Sequence, residues 1–438
     1  MRIYFDYPFQ LDHLLGGDYP VNASELSILK TILQWLQKDD LQCNKKAIAT
    51  LLSRIDFAQI TAQDLKELKM RQSDQIAQML SDKQKYCDTL IEYRDEHGLL
   101  NLRGMQLSVV KIGGFGPHGI TNKIAYWSTM NSWLPLTTIP HIECSNFGCA
   151  VLQNSLFVIG GCFNATDSLA TLSEHVHPFG FAFDPRKNEW SRIAPMNRER
   201  CRFTLVPMLD KLVAIGGCGN EMEDDDEFMG LDNFDASVEL YDSVSDTWRF
   251  LPPIPSGGRS QHAATSMGQA KILISGGISS DLEILNDCLV LDLQTNEWSH
   301  ALNLLQPRAD HVMIQLNSEE ILVIGGWSYD GEHQRMLIDT IDKFNHVLGT
   351  WEVLTRIPTP RFHCGVALVG QKIHLVGGFH SEMTFDRATG LIEIYDMKSR
   401  SWNTQGGNQK CYPEETWEHA CVALHIPSIR KEDLEEKE

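Results

Sequence analysis

The chain has no run of apolar residues near the ~18 to 20 that a membrane-spanning helix needs; its apolar stretches are short and stop at glycine. It also lacks a leader pattern. MRIYFDYPFQ carries Asp6 and no basic segment followed by an apolar one, so a cytoplasmic protein is expected. Basic residues are scarce: 38 lysines and arginines stand against 58 aspartates and glutamates, a net charge of −20, which argues against a general grip on nucleic acid or on an anionic membrane. None of the 11 cysteines lies in a C-x2-C pair, so no zinc module is expected, and an odd count without a leader points to reduced thiols. The G-x-S-x-G, H-E-x-x-H and phosphate-loop signatures are missing as well. A non-enzymatic protein without cofactor or metal is the resulting expectation.

What is present begins with helices. Asn22 followed by Glu25 has the spacing of a capping box, and Leu29, Ile32, Leu33 and Leu36 then recur at one helical face, with Trp35 beside them. A second stripe runs through Ile48, Leu51, Leu52 and Ile55, a third through Leu65 and Leu68, and a fourth from Ile76 to Ile91.

From about residue 105 the period becomes strand-like and repeats. Short β-type runs end in glycine doublets at Gly113–Gly114, Gly160–Gly161, Gly216–Gly217, Gly276–Gly277, Gly325–Gly326 and Gly377–Gly378, spaced 47, 56, 60, 49 and 52 residues apart. Each doublet is followed by one tryptophan: Trp133, Trp190, Trp248, Trp298, Trp351 and Trp402. Six residues before each tryptophan stand Trp127, Asp184, Asp242, Asp292, Asn345 and Asp396. That fixed offset predicts a tight hairpin, because Asp and Asn bond their own backbone in turns. The doublets are expected on the strands nearest a common axis and the tryptophans largely buried between repeats. A further strand precedes each doublet strand except the first. The stretch WEHACVALHI at 417–426 supplies the missing one and predicts a ring closed by the C-terminal strand.

This pattern resembles the kelch repeat, and the helical segment before it resembles the later helices of a BACK domain, the connector in BTB-BACK-kelch (kelch-like) proteins. The resemblance implies an all-β six-bladed propeller over residues 105–426, a partial BACK-like segment over 1–100, and a charged tail over 427–438. It further implies a protein-binding role, with the propeller serving as the substrate-recognition subunit of a cullin-RING ubiquitin ligase. A kelch scaffold that binds actin or another cytoskeletal partner is the alternative. About 100 residues precede the first doublet, fewer than a BTB domain and a complete BACK domain need. As written, the chain is therefore expected to be monomeric, with cullin binding left to a longer product.

The resemblance places target capture at the propeller mouth. Aligning the strands that precede the doublets puts Asn146, Arg202, Gln261, Asp310, His363 and His419 in equivalent positions, a candidate polar ring of one residue per blade. Arg202 suits a carboxylate, with Arg200 close by and Asp310 expected about half a turn away; the two histidines would respond to pH. The stretch EMEDDDEFMGLDNFD, covering 221–235, is read as a solvated acidic loop or a docking element for a basic partner.

Overall fold

Period-two alternation is converted into six antiparallel four-stranded sheets, each one blade of a propeller. The computed structural model describes residues 25–38, a few positions between 52 and 70, and most of 105–427; segments 129–131, 167–171, 220–233 and 406–414 are the longer stretches within that range left outside the description. Blade 3 shows the plan. Its strands Thr204–Met208, Lys211–Ile215, Val238–Asp242 and Thr247–Leu251 follow one another from the axis outward. The first strands of successive blades neighbour one another, which marks them as innermost. In blade 1 the innermost position is taken by Ala420–Pro427, hydrogen-bonded to Met105–Ile112, so the two ends of the repeat region share one sheet.

The doublets therefore end the second strand of each blade, not the innermost as expected. Their crowding has another source. At Gly216, with φ +61°, a Cβ would stand 2.8 Å from the Arg259 carbonyl of the next blade; at Gly217, with φ +99°, it would stand 2.5 Å from the Cys201 carbonyl that leads into the same blade's innermost strand. One glycine lets the next blade approach, the other the chain's own inner strand, and both need a positive φ.

The six-residue offset is a hairpin between third and outer strands, as in Asp242 facing Thr247. The Asp242 carboxylate accepts from the Val244 and Ser245 N–H groups at 2.9 and 3.2 Å, and Asp292, Asn345 and Asp396 repeat this turn. Its last residue, such as Asp246 or Asn296, has φ near +55°.

The core consists of seams between blades. Val206, Val213, Ile215, Val238 and Leu240 of blade 3 pack on Ile272, Ile274, Leu289 and Leu291 of blade 4, and similar clusters join blades 2 to 3, 4 to 5, 5 to 6 and 6 to 1. Trp133, Trp248, Trp298, Trp351 and Trp402 pack against these seams, and Trp190 Nε1–H donates to Thr137 Oγ1 of blade 1. Trp248 Nε1–H donates to the Ala194 carbonyl of blade 2, and Trp298 to the Pro252 carbonyl of blade 3. All six are half-buried, with one edge of the indole left in water by the outermost strand.

By contact density the chain divides into residues 1–107 with 425–438, and residues 108–424. In the first unit, helix Glu25–Lys38 buries Ile28, Leu29, Ile32 and Leu33 while Lys30, Thr31 and Gln34 stay exposed, the amphipathic stripe read from the sequence. Leu52 and Ile55 are also buried. Asn22, most of the later helical stripes, the acidic stretch apart from Phe234 and Asp235, and the tail beyond 427 lie outside the described residues. Among the described residues no helix is long and apolar enough to cross a membrane.

Candidate functional site

The chain enters each innermost strand through a residue in the left-handed region: Asn146, Arg202, Gln261, Asp310, His363 and Glu418, with φ between 50° and 56°. Backbone hydrogen bonds join them from blade to blade. Arg202 N–H donates to Asn146 O at 2.9 Å, Gln261 N–H to Arg202 O at 3.3 Å, Asp310 N–H to Gln261 O at 2.9 Å and Glu418 N–H to His363 O at 3.0 Å. The positive φ turns each peptide so that its carbonyl meets the neighbouring blade. A ring of half-buried side chains around the axis is the result.

Five of the six expected positions lie in this ring. His419 does not: the equivalent residue is Glu418, and His419 belongs to the next column inward, with Phe147, Phe203, His262, His311 and Cys364. Histidine followed by a strand is the pattern of that column, so aligning on histidine shifts the last blade by one. Burial, with help from Lys111 and Arg361, lowers the His419 pKa to about 3, so it is neutral at physiological pH. Arg202 and Asp310 stand two blades apart, a third of the circle, and not half a turn; opposite Arg202 is His363.

Charge in the ring is uneven. His363 Nδ1 lies 3.5 Å from Asp310 Oδ2 and its Nε2 lies 4.0 Å from Glu418 Oε1, while the Trp327 indole N–H donates to Asp310 Oδ2 at 2.9 Å. Blades 5, 6 and 1 thus form an acidic arc. Asn146, Arg202 and Gln261 form the neutral-to-cationic remainder.

A second circle of contacts, which the sequence reading missed, surrounds the ring. The residue before each ring position pairs with the residue after the doublet of the same blade: Phe115 with Trp417, Ser145 with Cys162, Cys201 with Cys218, Ser260 with Ile278, Ala309 with Trp327 and Phe362 with Phe379. Beside the acidic arc this circle is aromatic. Phe115 stacks on Trp417 with centroids 6.0 Å apart, Trp417 meets Phe379 at 5.2 Å, Phe379 meets Phe362 at 5.4 Å, and the Arg335 guanidinium lies over both Phe362 and Trp327. The signal was legible as bulky residues directly before His363 and Glu418 where the other blades carry Ser, Cys or Ala.

Arg200 also takes a different role from the one its position suggested. It is fully buried, as are Arg259, Arg308 and Arg361 in the same column. Each donates through Nη1 to the carbonyl of the first doublet glycine, Gly216, Gly276, Gly325 and Gly377, at 3.0 to 3.2 Å. Each also pairs with a carboxylate at the third strand: Glu239 at 2.7 Å, Asp287 at 2.8 Å, Asp342, and Glu393 at 2.9 Å. These buried arginines lock their four blades internally.

The chain is a six-bladed propeller whose mouth carries one side chain per blade on an otherwise repeated frame. Residues 203–426 match the family described as "KLHDC2/KLHL20/DRC7 Kelch-repeats domain", and the chain belongs to this kelch-repeat family. Among curated proteins it is 27% identical to Kelch-like protein 35 of Mus musculus over 68% of this chain and 47% of that protein. It is 22% identical to Kelch-like protein 26 of Danio rerio over 95% and 66%, and 26% identical to Kelch-like protein 36 of Rattus norvegicus over 65% and 43%. The chain thus spans about half to two thirds of the length of these relatives. A solved chain described as "Structure of YjhT" superposes with a TM-score of 0.52 at 14% identity, covering 68% of this chain and 97% of its own, a likeness of fold alone.

Proposed function

We propose that this propeller captures a protein segment at its mouth and serves as the recognition subunit of a cullin-RING ubiquitin ligase in the cytoplasm. The organisation that goes with this reading is a BACK-like helical segment over 1–100 ahead of a propeller over 105–426, with cullin engagement belonging to a longer product. The observation that carries it is the mouth ring itself, half-buried polar side chains projecting from an invariant backbone circle in a chain whose relatives are Kelch-like proteins. Its binding residues are Asn146, Arg202, Gln261, Asp310, His363 and Glu418, the last in place of His419. The acidic arc and its aromatic border suit a cationic or donor-bearing side chain of the target, and Arg202 suits a carboxylate on the same segment.

Affinity capture from a cytoplasmic extract with the 438-residue chain, its Asp310→Ala/Glu418→Ala variant and a longer product carrying a BTB domain tests this. Shared targets lost in the double variant, with a cullin recovered by the longer product, support it. Targets retained by the double variant overturn the mouth, and co-sedimentation with actin filaments without any cullin overturns the ligase role in favour of a cytoskeletal scaffold.

A further inference from the structure

Blade 2 breaks the arginine column. Where blades 3 to 6 place Arg200, Arg259, Arg308 and Arg361, blade 2 places Cys144, two residues before its ring position Asn146. At the matching place its third strand offers no carboxylate either. Glu239 of blade 3 faces Ala214, two residues before the doublet, and the residue that faces the matching Val158 in blade 2 is Phe181. A second acidic position changes as well. Asp235, which lies 3.6 Å from Arg200 and donates its N–H to Gly217 O, corresponds to His177, which donates its N–H to Gly161 O.

The two replacements come together with a third residue. His141, Cys144 and His177 each offer one ligand atom, and those atoms lie within 4.8 Å of one another. Cys144 and His177 are buried, and His141 is half-buried. The imidazoles of His141 and His177 have centroids 4.6 Å apart, and Phe179 stacks on His177 at 5.7 Å. Both ring nitrogens of His177 are buried and without a hydrogen-bond partner among the described residues. A polar group buried in that state costs free energy that natural folds rarely leave unspent on a ligand or a partner. His141 is already oriented: its Nδ1 lies 3.3 Å from the Ile142 carbonyl, and donating there leaves Nε2 as the lone-pair atom.

We propose that His141, Cys144 and His177 form a metal site for a divalent cation of the zinc class. Two imidazole nitrogens and one thiolate are a borderline-soft donor set, which excludes calcium and magnesium and suits tetrahedral zinc with solvent at the fourth position. The ligand atoms would draw together from separations of up to 4.8 Å to make the ~2.0 to 2.3 Å bonds of such a centre. On binding, the Cys144 thiol releases its proton to solvent as the S–metal bond forms, both imidazoles bind as neutral donors, and no electron is transferred. The cation would tie the loop before the innermost strand of blade 2 to the loop before its third strand, the two segments that Arg200 ties to Asp235 and Glu239 in blade 3. This differs from the sequence expectation of no metal site, which rested on missing C-x2-C pairs; here the donors come from His141-x2-Cys144 and a histidine 33 residues further on, joined by the blade topology.

The test uses the full 438-residue chain stripped with a chelator and titrated with Co2+ as a spectroscopic probe, then with Zn2+ during thermal melting. Expected are one Co2+ per chain, a thiolate-to-cobalt charge-transfer band with intense tetrahedral d–d bands, and a higher melting temperature with Zn2+. Cys144→Ser should abolish the charge-transfer band, and His141→Gln should weaken Co2+ binding at least tenfold. The second variant lies at a half-buried position, so its stripped form should melt with the stripped parent and keeps the test valid where Cys144→Ser fails to fold. Absence of stoichiometric Co2+, a spectrum without the thiolate band, or binding unchanged in His141→Gln, as when Cys162, Cys201 and Cys218 hold the metal instead, would overturn the site.

Discussion

Arg200 and Arg202 stand two residues apart on the same loop and have opposite fates. Arg200 is sealed inside blade 3, its guanidinium shared among Gly216 O, Ser237 and Glu239, whereas Arg202 has φ +51° and projects half-buried at the axis. The same contrast recurs at 259 and 261, 308 and 310, and 361 and 363. The inner column keeps one chemistry through four blades while the ring changes at every blade to Arg, Gln, Asp and His. A repeat fold can thus hold stability and recognition in register on one short loop, with the left-handed residue as the switch between them.

The sharpest way to break the contrast is to remove one inner arginine. Arg308→Met leaves the Asp342 carboxylate, 2% exposed, without its cation and should cost about 3 to 5 kcal/mol. Asp342→Leu added to Arg308→Met should recover much of that loss, since two packed apolar groups replace a buried ion pair. Urea unfolding of both variants measures this; equal destabilisation in the single and double variants would show that the arginine acts through its bond to Gly325 O instead.

Next in size is the doublet. Gly217→Ala puts a Cβ 2.5 Å from Cys201 O and 2.7 Å from the Phe203 side chain, on a backbone with φ +99°. Gly370→Ala, with φ +59° and no atom within 4 Å of the added Cβ, carries the conformational cost alone. The second should lose about 1 to 2 kcal/mol and the first about 1 to 3 kcal/mol more. Melting curves of the pair separate strain from crowding.

Acid should loosen the column beneath the ring. Burial, with Arg259 and Arg200 nearby, holds His262 at about 3, His419 is at about 3, and burial with Arg308 keeps His311 well below the ordinary histidine range. These groups bind protons more readily unfolded than folded, so stability rises with pH. Their contribution is complete above about pH 6.5 and is lost as pH falls toward 3, at up to about 1.4 kcal/mol per pH unit for each histidine. Melting temperatures from pH 7 to pH 4 should fall, less steeply in His262→Phe, which copies Phe203 of blade 3.

Much of this frame is written locally. Turn residue and tryptophan recur at a set offset and a doublet closes each second strand, because each obeys a rule of its own few residues, so the number of blades and the closing strand were readable without coordinates. The rank of the doublet strand was not, since it depends on which strand faces the axis. Glu418 was missed for a related reason: His419 copies His262 and His311, and only the backbone conformation shows which of two adjacent polar residues faces the opening. The arginine column was visible as Arg at 200, 259, 308 and 361, yet its carboxylate partners lie 28 to 39 residues away across loops of different length.

The smallest effect on stability belongs to the other half of the contrast. Arg202→Ala removes a half-buried side chain at the mouth and leaves Arg200, Glu239 and both glycines in place, so the melting temperature should move by no more than about 0.5 kcal/mol of stability allows. Its effect on capture is the reverse of that of Arg308→Met. If Arg202 makes a charge-assisted contact with a target carboxylate, binding weakens by about 1 to 3 kcal/mol, and Arg202→Lys restores only part, because an ammonium lacks the fork that holds both carboxylate oxygens. Isothermal titration with a captured target segment, run beside melting curves of the same samples, reads both quantities. A variant that melts like the parent and binds like the parent places recognition on the acidic and aromatic arc of blades 5, 6 and 1, whereas one that melts low would mean that the mouth carries part of the frame and that the two columns are not separable.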